Sequence, residues 1–206
     1  MSLDGYVAGP DQGADHPLGV GGERLHAWMR ELEVWRRAAG YEGGVTNANT
    51  EVFERADDGV TALVMGRNMF GGGPGPWSAD PPWNGWWGDD PPFHMPVFVL
   101  THHAREPLVM QGGTTFTFVT DGLESALEQA RAAANGGDVA IGGGAGTARQ
   151  FISAGLVDRL LIHQVPALLG GGVRLFDDPA LATLRLEQDE VFVGPGVTHL
   201  GYRVVR

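Results

Sequence analysis

The chain has 206 residues, a formal net charge of −11 and no cysteine. Its length suits a single domain, residues 1–206, in which helices cover a central sheet. The acidic balance argues against nucleic acid or an anionic membrane as partner, and the lack of cysteine excludes disulfides, thiolate catalysis and cysteine-ligated metals. The sequence shows neither a signal-peptide pattern nor an apolar run of membrane-spanning length, which predicts a soluble, cytoplasmic protein.

The first third of the chain reads as a loop followed by helices. Gly, Pro and Asp dominate up to Gly22, which is typical of a loop. An amphipathic helix is expected from Glu23 onward, with Trp28 and Trp35 on its packing face. A second short helix is predicted over residues 48–55.

Two buried strands are expected in the middle of the chain, on either side of a long loop. The apolar run 60–65 predicts one strand, which ends at Gly66-Arg67, and the run 96–101 predicts the other. Between them, residues 71–96 are rich in Gly and Pro and should form an irregular loop. A loop of this length is usually functional or disordered, and its aromatic content argues against disorder. It carries four tryptophans: Trp77, Trp83, Trp86 and Trp87.

The second half alternates strand and helix and then becomes rich in strands. A strand is predicted over residues 116–120, and Asp121 with Glu124 predicts a capping box at the start of a helix. Residues 156–165 form a nearly continuous apolar run, and residues 184–205 alternate like paired antiparallel strands. This order indicates an α/β sheet with antiparallel edges.

A glycine cluster, Gly142-Gly143-Gly144-Ala145-Gly146-Thr147, lies between an apolar strand and a short helix. Glycines allow close approach of a ligand, and a helix N-terminus presents unpaired N–H groups to an anion. A dinucleotide is the natural candidate. The dinucleotide-binding fingerprint is only partly met, since Thr147 stands where a third glycine belongs, and a glycine-rich turn without a ligand is the alternative.

Three predicted strand ends carry polar or glycine residues: Gly66-Arg67, residues 101–105 and residues 142–147. In an open α/β sheet, ligands bind beyond the carboxyl ends of the strands, so these ends point to one site. Arg67 and Arg105 would supply fork-shaped contacts to a phosphate, which favours NADP over NAD. For each arginine taken alone, a solvated surface position or a contact with a helix end is an equally good interpretation, and the convergence of the three strand ends favours the functional one.

The order and spacing of several short motifs resemble the riboflavin-biosynthesis reductases (RibD C-terminal-like proteins) of the dihydrofolate reductase-like superfamily. The similarity extends over nearly the whole chain. The motifs are Ser2-Leu3-Asp4-Gly5-Tyr6-Val7-Ala8-Gly9, Val64-Met65-Gly66-Arg67, Leu100-Thr101, Ile141-Gly142-Gly143-Gly144, Gly155-Leu156-Val157-Asp158, and Pro166 to Gly172 with Leu175-Phe176.

The resemblance implies a three-layer α/β fold with a mixed, mostly parallel sheet, NADPH across the strand ends, and a homodimer. It places Ala8 and Gly9 near the nicotinamide. It places the remaining cofactor contacts at Gly66, Arg67 and Asn68 for the phosphates, at Thr101, His102 and Arg105 for the adenosine 2′-phosphate, and at residues 142–147 for the pyrophosphate.

Three departures from the family pattern bear on the sheet, the cofactor and the substrate. The family has an apolar strand before its Ser-x-Asp-Gly motif, whereas here that motif opens the sequence. Its Gly-Arg-x-Thr pattern becomes Gly66-Arg67-Asn68-Met69, which removes a hydroxyl donor. Its Asp-Pro-x-Leu-x-x-Arg segment, which serves the phosphate of the riboflavin precursor, is not recognisable here, and the tryptophan-rich loop stands in its neighbourhood.

The missing segment predicts a substrate other than the riboflavin precursor. The class expected is a small conjugated heterocycle of the pyrimidine or pterin type, and the resemblance itself implies 5-amino-6-(5-phosphoribosylamino)uracil, as in riboflavin biosynthesis. Stacking on Trp83, Trp86 or Trp87 would suit such a ring, although these side chains would equally suit a dimer interface. The proton donor is left open. The candidates on the substrate side are Asp4, Asp89, Asp90 and His94, for which a turn cap or a solvated loop is the alternative.

The sequence also fits a function without catalysis. A non-catalytic nucleotide sensor, or a module whose tryptophan loop binds a partner, would bind without turnover. A metal site is not expected, because the histidines lack a ligand spacing such as HExxH. The histidines without such spacing are His16, His26, His94, His102 and His103.

Overall fold

The structure is a computed structural model that describes residues 1–13, 15–56, 58–78 and 80–206. The chain divides into two compact units, residues 1–56 with 151–206 and residues 57–150. The single domain over residues 1–206 stays a prediction. The helices and strands in chain order are β1 (Tyr6–Ala8), α1 (Ala27–Arg30), α2 (Glu33–Ala38), α3 (Ala48–Arg55), β2 (Val60–Gly66), α4 (Arg67–Phe70), β3 (Pro96–Leu100), β4 (Leu108–Val109), β5 (Thr115–Val119), α5 (Leu123–Ala134), β6 (Asp138–Gly143), α6 (Ala145–Ser153), β7 (Arg159–Gln164), β8 (Val173–Arg174), β9 (Arg185–Gly194) and β10 (Val197–Val205).

The unit of residues 57–150 is built on a five-stranded sheet in the order β4-β5-β3-β2-β6. Strands β2, β3, β5 and β6 are parallel, and the short β4 is antiparallel to β5. The apolar runs predicted in the sequence form β2, β3 and β5, as expected for parallel strands buried on both faces. Helix α5 contacts β2 and β3 through a buried stripe of small and apolar side chains.

The chain order of this sheet reverses next to β2. From β2 the chain moves outward through β3 to β5, and β6 then returns to the other side of β2. Such a reversal leaves a crevice at the carboxyl ends of the two strands that flank it. Here those strands are β2, which ends at Gly66, and β6, which ends at Gly143.

The other unit contains an antiparallel sheet in the order β7-β10-β9 and a two-stranded pair, β1 with β8. Its apolar cluster joins the first helical segment to the C-terminal strands. Leu25, Trp28 and Leu32 pack there with Val165 and Val197, and Trp35 is half-buried beside them. The mixed parallel sheet and the antiparallel C-terminal strands confirm the predicted fold class.

The predicted helix from Glu23 is wrong in its continuity. A 3₁₀ helix, Gly22–His26, precedes α1, and α2 starts only at Glu33. The break lies at Leu32, whose backbone is extended at φ −69° and ψ 134°. Its neighbours bond to Val45, because the N–H of Glu33 donates to the Val45 carbonyl (3.0 Å) and the N–H of Val45 donates to the Glu31 carbonyl (2.8 Å). A strand-like bridge has replaced one turn of helix.

The predicted capping box at α5 is also wrong. The N-cap is Gly122, which has no side chain to offer, and the helix begins at Leu123. Asp121 therefore lies one residue too early, and its carboxylate accepts the hydroxyl of Thr120 (3.3 Å). The short predicted helix over residues 48–55 is confirmed as α3, with Asn47 and Thr50 forming a capping box there.

Candidate functional site

The carboxyl ends of β2, β3 and β6 lie side by side. Gly66 pairs with Leu100, and Met65 pairs with Gly143. Thr101 follows directly and is buried, and its hydroxyl accepts the backbone N–H of His103 (3.2 Å). The three strand ends predicted from the sequence to carry the site therefore meet along one edge of the sheet.

The glycine turn after β6 closes tightly against the end of β2. A Cβ placed on Gly66 would lie 2.1 Å from the Thr147 hydroxyl oxygen and 3.5 Å from the Gly143 carbonyl oxygen. Any side chain at position 66 would therefore push α6 away from β2. Thr147, the residue that breaks the dinucleotide fingerprint, supplies this contact.

The same turn is open on its other side. A Cβ on Gly144 or Gly146 would meet no atom within 4 Å. Helix α6 starts at Ala145, and the first N–H groups of any α-helix lack an acceptor within that helix. An open glycine turn with unpaired N–H groups and a hydroxyl provides the donors that a phosphate requires.

Met69 stands where the family's Gly-Arg-x-Thr pattern has threonine, and it lies against the glycine turn. Its sulfur lies 3.5 Å from where a Cβ on Gly142 would stand, and Leu63 lies 3.1 Å from the same point. The thioether thus packs against the turn at a position where the family pattern has a hydroxyl. Asn68 beside it is exposed. Thr147 carries a hydroxyl close to the turn, and the sequence pattern alone did not indicate this contact.

Arg67 and Arg105 are both turned toward the tryptophan-rich loop. Arg67 donates from Nε to the Gly71 carbonyl (3.0 Å), and its guanidinium carbon lies 3.1 Å from the Trp77 ring centroid. Arg105 donates to the Trp83 carbonyl and to Oδ1 of Asn84 (2.9 Å for the latter). Burial lowers the pKa of both arginines, and the neighbouring charge of Arg105 lowers that of Arg67 further. Direct phosphate contacts by these arginines stay a prediction.

The tryptophan-rich loop forms no helix or strand in its described residues, 71–78 and 80–95. Three of its indoles pack on the core around Phe70 and Phe116. Trp77 meets Phe70 edge-on (5.7 Å between ring centroids), Trp83 donates to the Phe70 carbonyl (2.9 Å), and Trp87 stacks on Phe116 (6.0 Å). Trp86 differs from these three, because 42% of it is exposed.

Asp90 and His94 tie the far end of this loop to a turn. The His94 ring nitrogen Nδ1 lies 2.8 Å from the Gly112 carbonyl and 3.8 Å from Oδ1 of Asp90. The backbone N–H of His94 donates to the Thr114 hydroxyl (2.9 Å). Both predicted substrate residues, Asp90 and His94, therefore have partners within the protein. The backbone carbonyl of Asp89 accepts the N–H of Gln111 (3.0 Å).

The motif at the start of the chain is held by Asp4. Its carboxylate accepts the N–H groups of Leu169 (3.1 Å) and Gly170 (2.8 Å). A hydrogen bond from Ser2, together with these backbone donors, lowers the pKa of Asp4 to about 2, against a smaller opposing effect of burial. The carboxylate is therefore ionised at neutral pH and acts as a turn cap. It is poorly suited to deliver a proton.

Ala8 and Gly9, the predicted nicotinamide contacts, lie at the end of β1. Ala8 is buried, and a Cβ on Gly9 would stand 2.0 Å from the Val20 carbonyl oxygen. The N–H of Gly9 donates to the Leu18 carbonyl (2.9 Å), which holds the two backbone segments together. Because they cannot move apart to make room for a Cβ, only glycine fits at this position. This packing explains the glycine independently of any cofactor.

Within the residues that the structure describes, His, Asp and Glu side chains form no group of three that could hold a metal ion. No described helix combines the length and apolarity needed to cross a membrane.

A largely parallel sheet with an open glycine turn at its reversal point is the arrangement in which α/β proteins bind ligands, beyond the carboxyl ends of the strands. The chain belongs to the RibD C-terminal domain family, whose profile matches residues 1–200. This family comprises reductases of riboflavin biosynthesis, so the chain is classed with the oxidoreductases. No curated protein gives a significant match.

Solved structures agree with this assignment. A protein assigned to riboflavin biosynthesis from Shewanella sp. PV-4 is 25% identical, with a TM-score of 0.61, and the alignment covers 100% of this chain and 96% of that one. Two forms of Acinetobacter baumannii RibD share the fold. They are 14% and 16% identical, with TM-scores of 0.51 and 0.55, and the alignments cover 77% and 99% of this chain but 51% and 55% of theirs. The dihydrofolate reductase-like fold is thereby confirmed.

Proposed function

We propose that the protein is an NADPH-dependent reductase of a small conjugated heterocycle of the pyrimidine or pterin type. The observation that carries the proposal is the open glycine turn at the reversal point of the sheet, where Gly66 lies against Thr147. Backbone N–H groups at the start of α6 and the Thr147 hydroxyl suit the pyrophosphate. When bound, NADPH supplies the hydride, and the protein contributes binding, orientation and exclusion of water.

For the substrate, the structure favours a planar ring near Trp86. This indole is the most exposed of the four in the loop, and it is held at a defined angle by Trp83 (4.5 Å between centroids, 76° between planes). An exposed indole face suits stacking on a heterocycle. The riboflavin precursor 5-amino-6-(5-phosphoribosylamino)uracil is the first substrate to test. The pKa of Asp4 argues that the proton comes from another donor or from water.

The first expected result concerns the cofactor. NADPH at about 100 times its Kd should raise the free energy of unfolding by about 2.7 kcal/mol, because it binds only the native state. For a chain of this size that corresponds to roughly 5–10 °C in Tm. Thermal unfolding with NADPH, NADH, FMN and no ligand checks it, and NADPH should give the largest shift.

Gly146→Ala is the matched variant for this measurement. Its Cβ would enter open space, so the unliganded Tm should change little, whereas the side chain would narrow the turn offered to the pyrophosphate. The NADPH-dependent shift should therefore shrink. Equal shifts with all three nucleotides, or none, would argue against an NADPH site. Oxidation of NADPH on addition of the uracil distinguishes a reductase from a non-catalytic sensor.

For assembly we propose a homodimer, following the resemblance to the family. Sedimentation equilibrium should give about twice the monomer mass of 21.9 kDa. A monomer at all concentrations would contradict this part of the proposal.

A further inference from the structure

Trp77 lies between the two arginines that the sequence assigns to phosphate. The Arg67 guanidinium carbon is 3.1 Å from the indole centroid and that of Arg105 is 5.2 Å from it. The indole N–H donates to the His103 carbonyl (2.8 Å), which fixes the ring at the end of β3. A cation over the face of tryptophan is the strongest of the cation–π pairings in proteins.

The segment before Trp77 completes the enclosure of Arg67. Gly71, Gly72 and Gly73 all have left-handed backbones, with φ of +86°, +84° and +73°. This conformation directs consecutive carbonyls at the guanidinium: Nε donates to Gly71 (3.0 Å), and Nη2 donates to Gly72 (3.2 Å) and Gly73 (3.0 Å). We call residues 71–78 the strap.

The strap leaves part of Arg67 unsatisfied. Its Nη1 atom is buried and has no hydrogen-bond partner in the described structure. A buried donor without an acceptor is costly, more so on a charged group. Within the described ranges, neither Arg67 nor Arg105 makes an ion pair with a carboxylate. The contacts described for these two neighbouring cations are neutral oxygens and aromatic faces. An anion with several oxygens would give them stronger, charge-assisted hydrogen bonds.

We propose that the strap is an internal occupant of a two-arginine phosphate site, and that the phosphomonoester of a bound nucleotide displaces Trp77 from between Arg67 and Arg105. The proposal deepens the proposed function and rests on it, because the nucleotide is the one taken by the adjacent glycine turn. Binding and strap release are then linked, so a weaker strap gives tighter binding.

The test uses a nucleotide that carries the 2′-phosphate and has no nicotinamide, adenosine 2′,5′-bisphosphate. Equilibrium dialysis measures its affinity and tryptophan emission reports the strap. Wild-type protein should show an emission shift to longer wavelength on binding, as Trp77 enters water. Trp77→Phe should lack this shift, whereas the control Trp86→Phe should keep it.

Gly73→Ala weakens the strap without removing any side chain. Its Cβ meets no atom within 4 Å, so the change acts through the left-handed backbone that alanine disfavours. We expect about fivefold tighter binding of the bisphosphate. Gly88→Ala is the matched control, since Gly88 also has a positive φ of +70° and open space but lies outside the strap. It should leave the affinity unchanged.

The outcomes separate the two proposals. Binding by wild type without a Trp77-dependent emission change, or equal affinities for the Gly73 and Gly88 variants, overturns the strap and leaves the reductase standing. A lack of binding by wild type and by both strap variants overturns the nucleotide site itself. Should Trp77→Phe not fold, the Gly73→Ala affinity alone decides.

Discussion

Acidification from pH 7 to pH 5 is expected to remove about 2 kcal/mol from the free energy of unfolding through His163 alone. Burial lowers the pKa of His163 to about 4, with a further contribution from His199. The unfolded chain binds a proton near pH 6.5, so the stability is fully present above that pH and is lost as the pH falls toward 4. By pH 4 the loss reaches about 3 kcal/mol.

Burial is the main reason that His163 stays neutral, and hydrogen bonds fix the proton positions of the pair that it forms with His199. Its Nδ1 lies 2.6 Å from Nδ1 of His199, and Nε2 of His199 lies 3.2 Å from Oδ1 of Asn49. Asn49 donates its amide N–H to the Pro195 carbonyl (3.0 Å), which fixes its oxygen toward His199. His199 therefore carries its proton on Nε2, and His163 donates from Nδ1. A second proton on His199 would set two donors against each other.

Other groups around the pair change how steeply the free energy of unfolding depends on pH, but not the direction of that dependence. Trp28 packs on both imidazoles at 5.1 and 5.0 Å, which adds to their burial. Burial lowers the pKa of His199, although Glu190 opposes this, and burial together with Arg30 lowers that of His26. All three histidines therefore favour the folded state at the higher pH.

Urea unfolding of wild type and His163→Gln at pH 7, 6 and 5 measures this effect. The glutamine can still donate to His199 but does not titrate, so the stability difference between pH 7 and pH 5 should fall by about 2 kcal/mol. His16→Gln, which alters an exposed histidine, should retain the wild-type slope. If His163→Gln retains it as well, the buried pair is not the source of the acid sensitivity.

The strands and the glycine turn could be predicted because their signals are local. Continuous apolar runs predicted β2 and β3, and the glycine cluster between a strand and an apolar-periodic segment predicted the β6–α6 junction. The family motifs added the order of these parts. Their convergence along one edge followed from the rule that ligands bind beyond the carboxyl ends of strands.

The direction of long side chains could not be predicted in this way. Arg67 stands at the end of β2 as expected, but its guanidinium follows the carbonyls of Gly71 to Gly73, whose left-handed backbones are a tertiary property of the loop. Asp4 likewise finds its partners about 165 residues away, at Leu169. The buried pair of His163 and His199 was missed, because the register of β7 with β10 brings together residues from distant parts of the chain.

The close approach of Gly66 and Thr147 predicts a specific rescue. Gly66→Ala is expected to lower the free energy of unfolding by about 2 kcal/mol, because overpacking a tight contact costs about 1–3 kcal/mol. The φ of Gly66 is −86°, so the backbone accepts alanine and the cost arises from the clash with the Thr147 hydroxyl at 2.1 Å. Removal of that hydroxyl in Gly66→Ala/Thr147→Ala should restore most of the loss, with a coupling energy of about 1 kcal/mol or more.

Urea unfolding of the two single variants and the double variant measures this, with Gly146→Ala as the control that adds a methyl group to open space. A double variant as unstable as Gly66→Ala would show that the strand end and the glycine turn are not joined by this contact. If the double variant regains the stability of wild type but binds NADPH more weakly than wild type does, the Thr147 hydroxyl serves the nucleotide in addition to the packing.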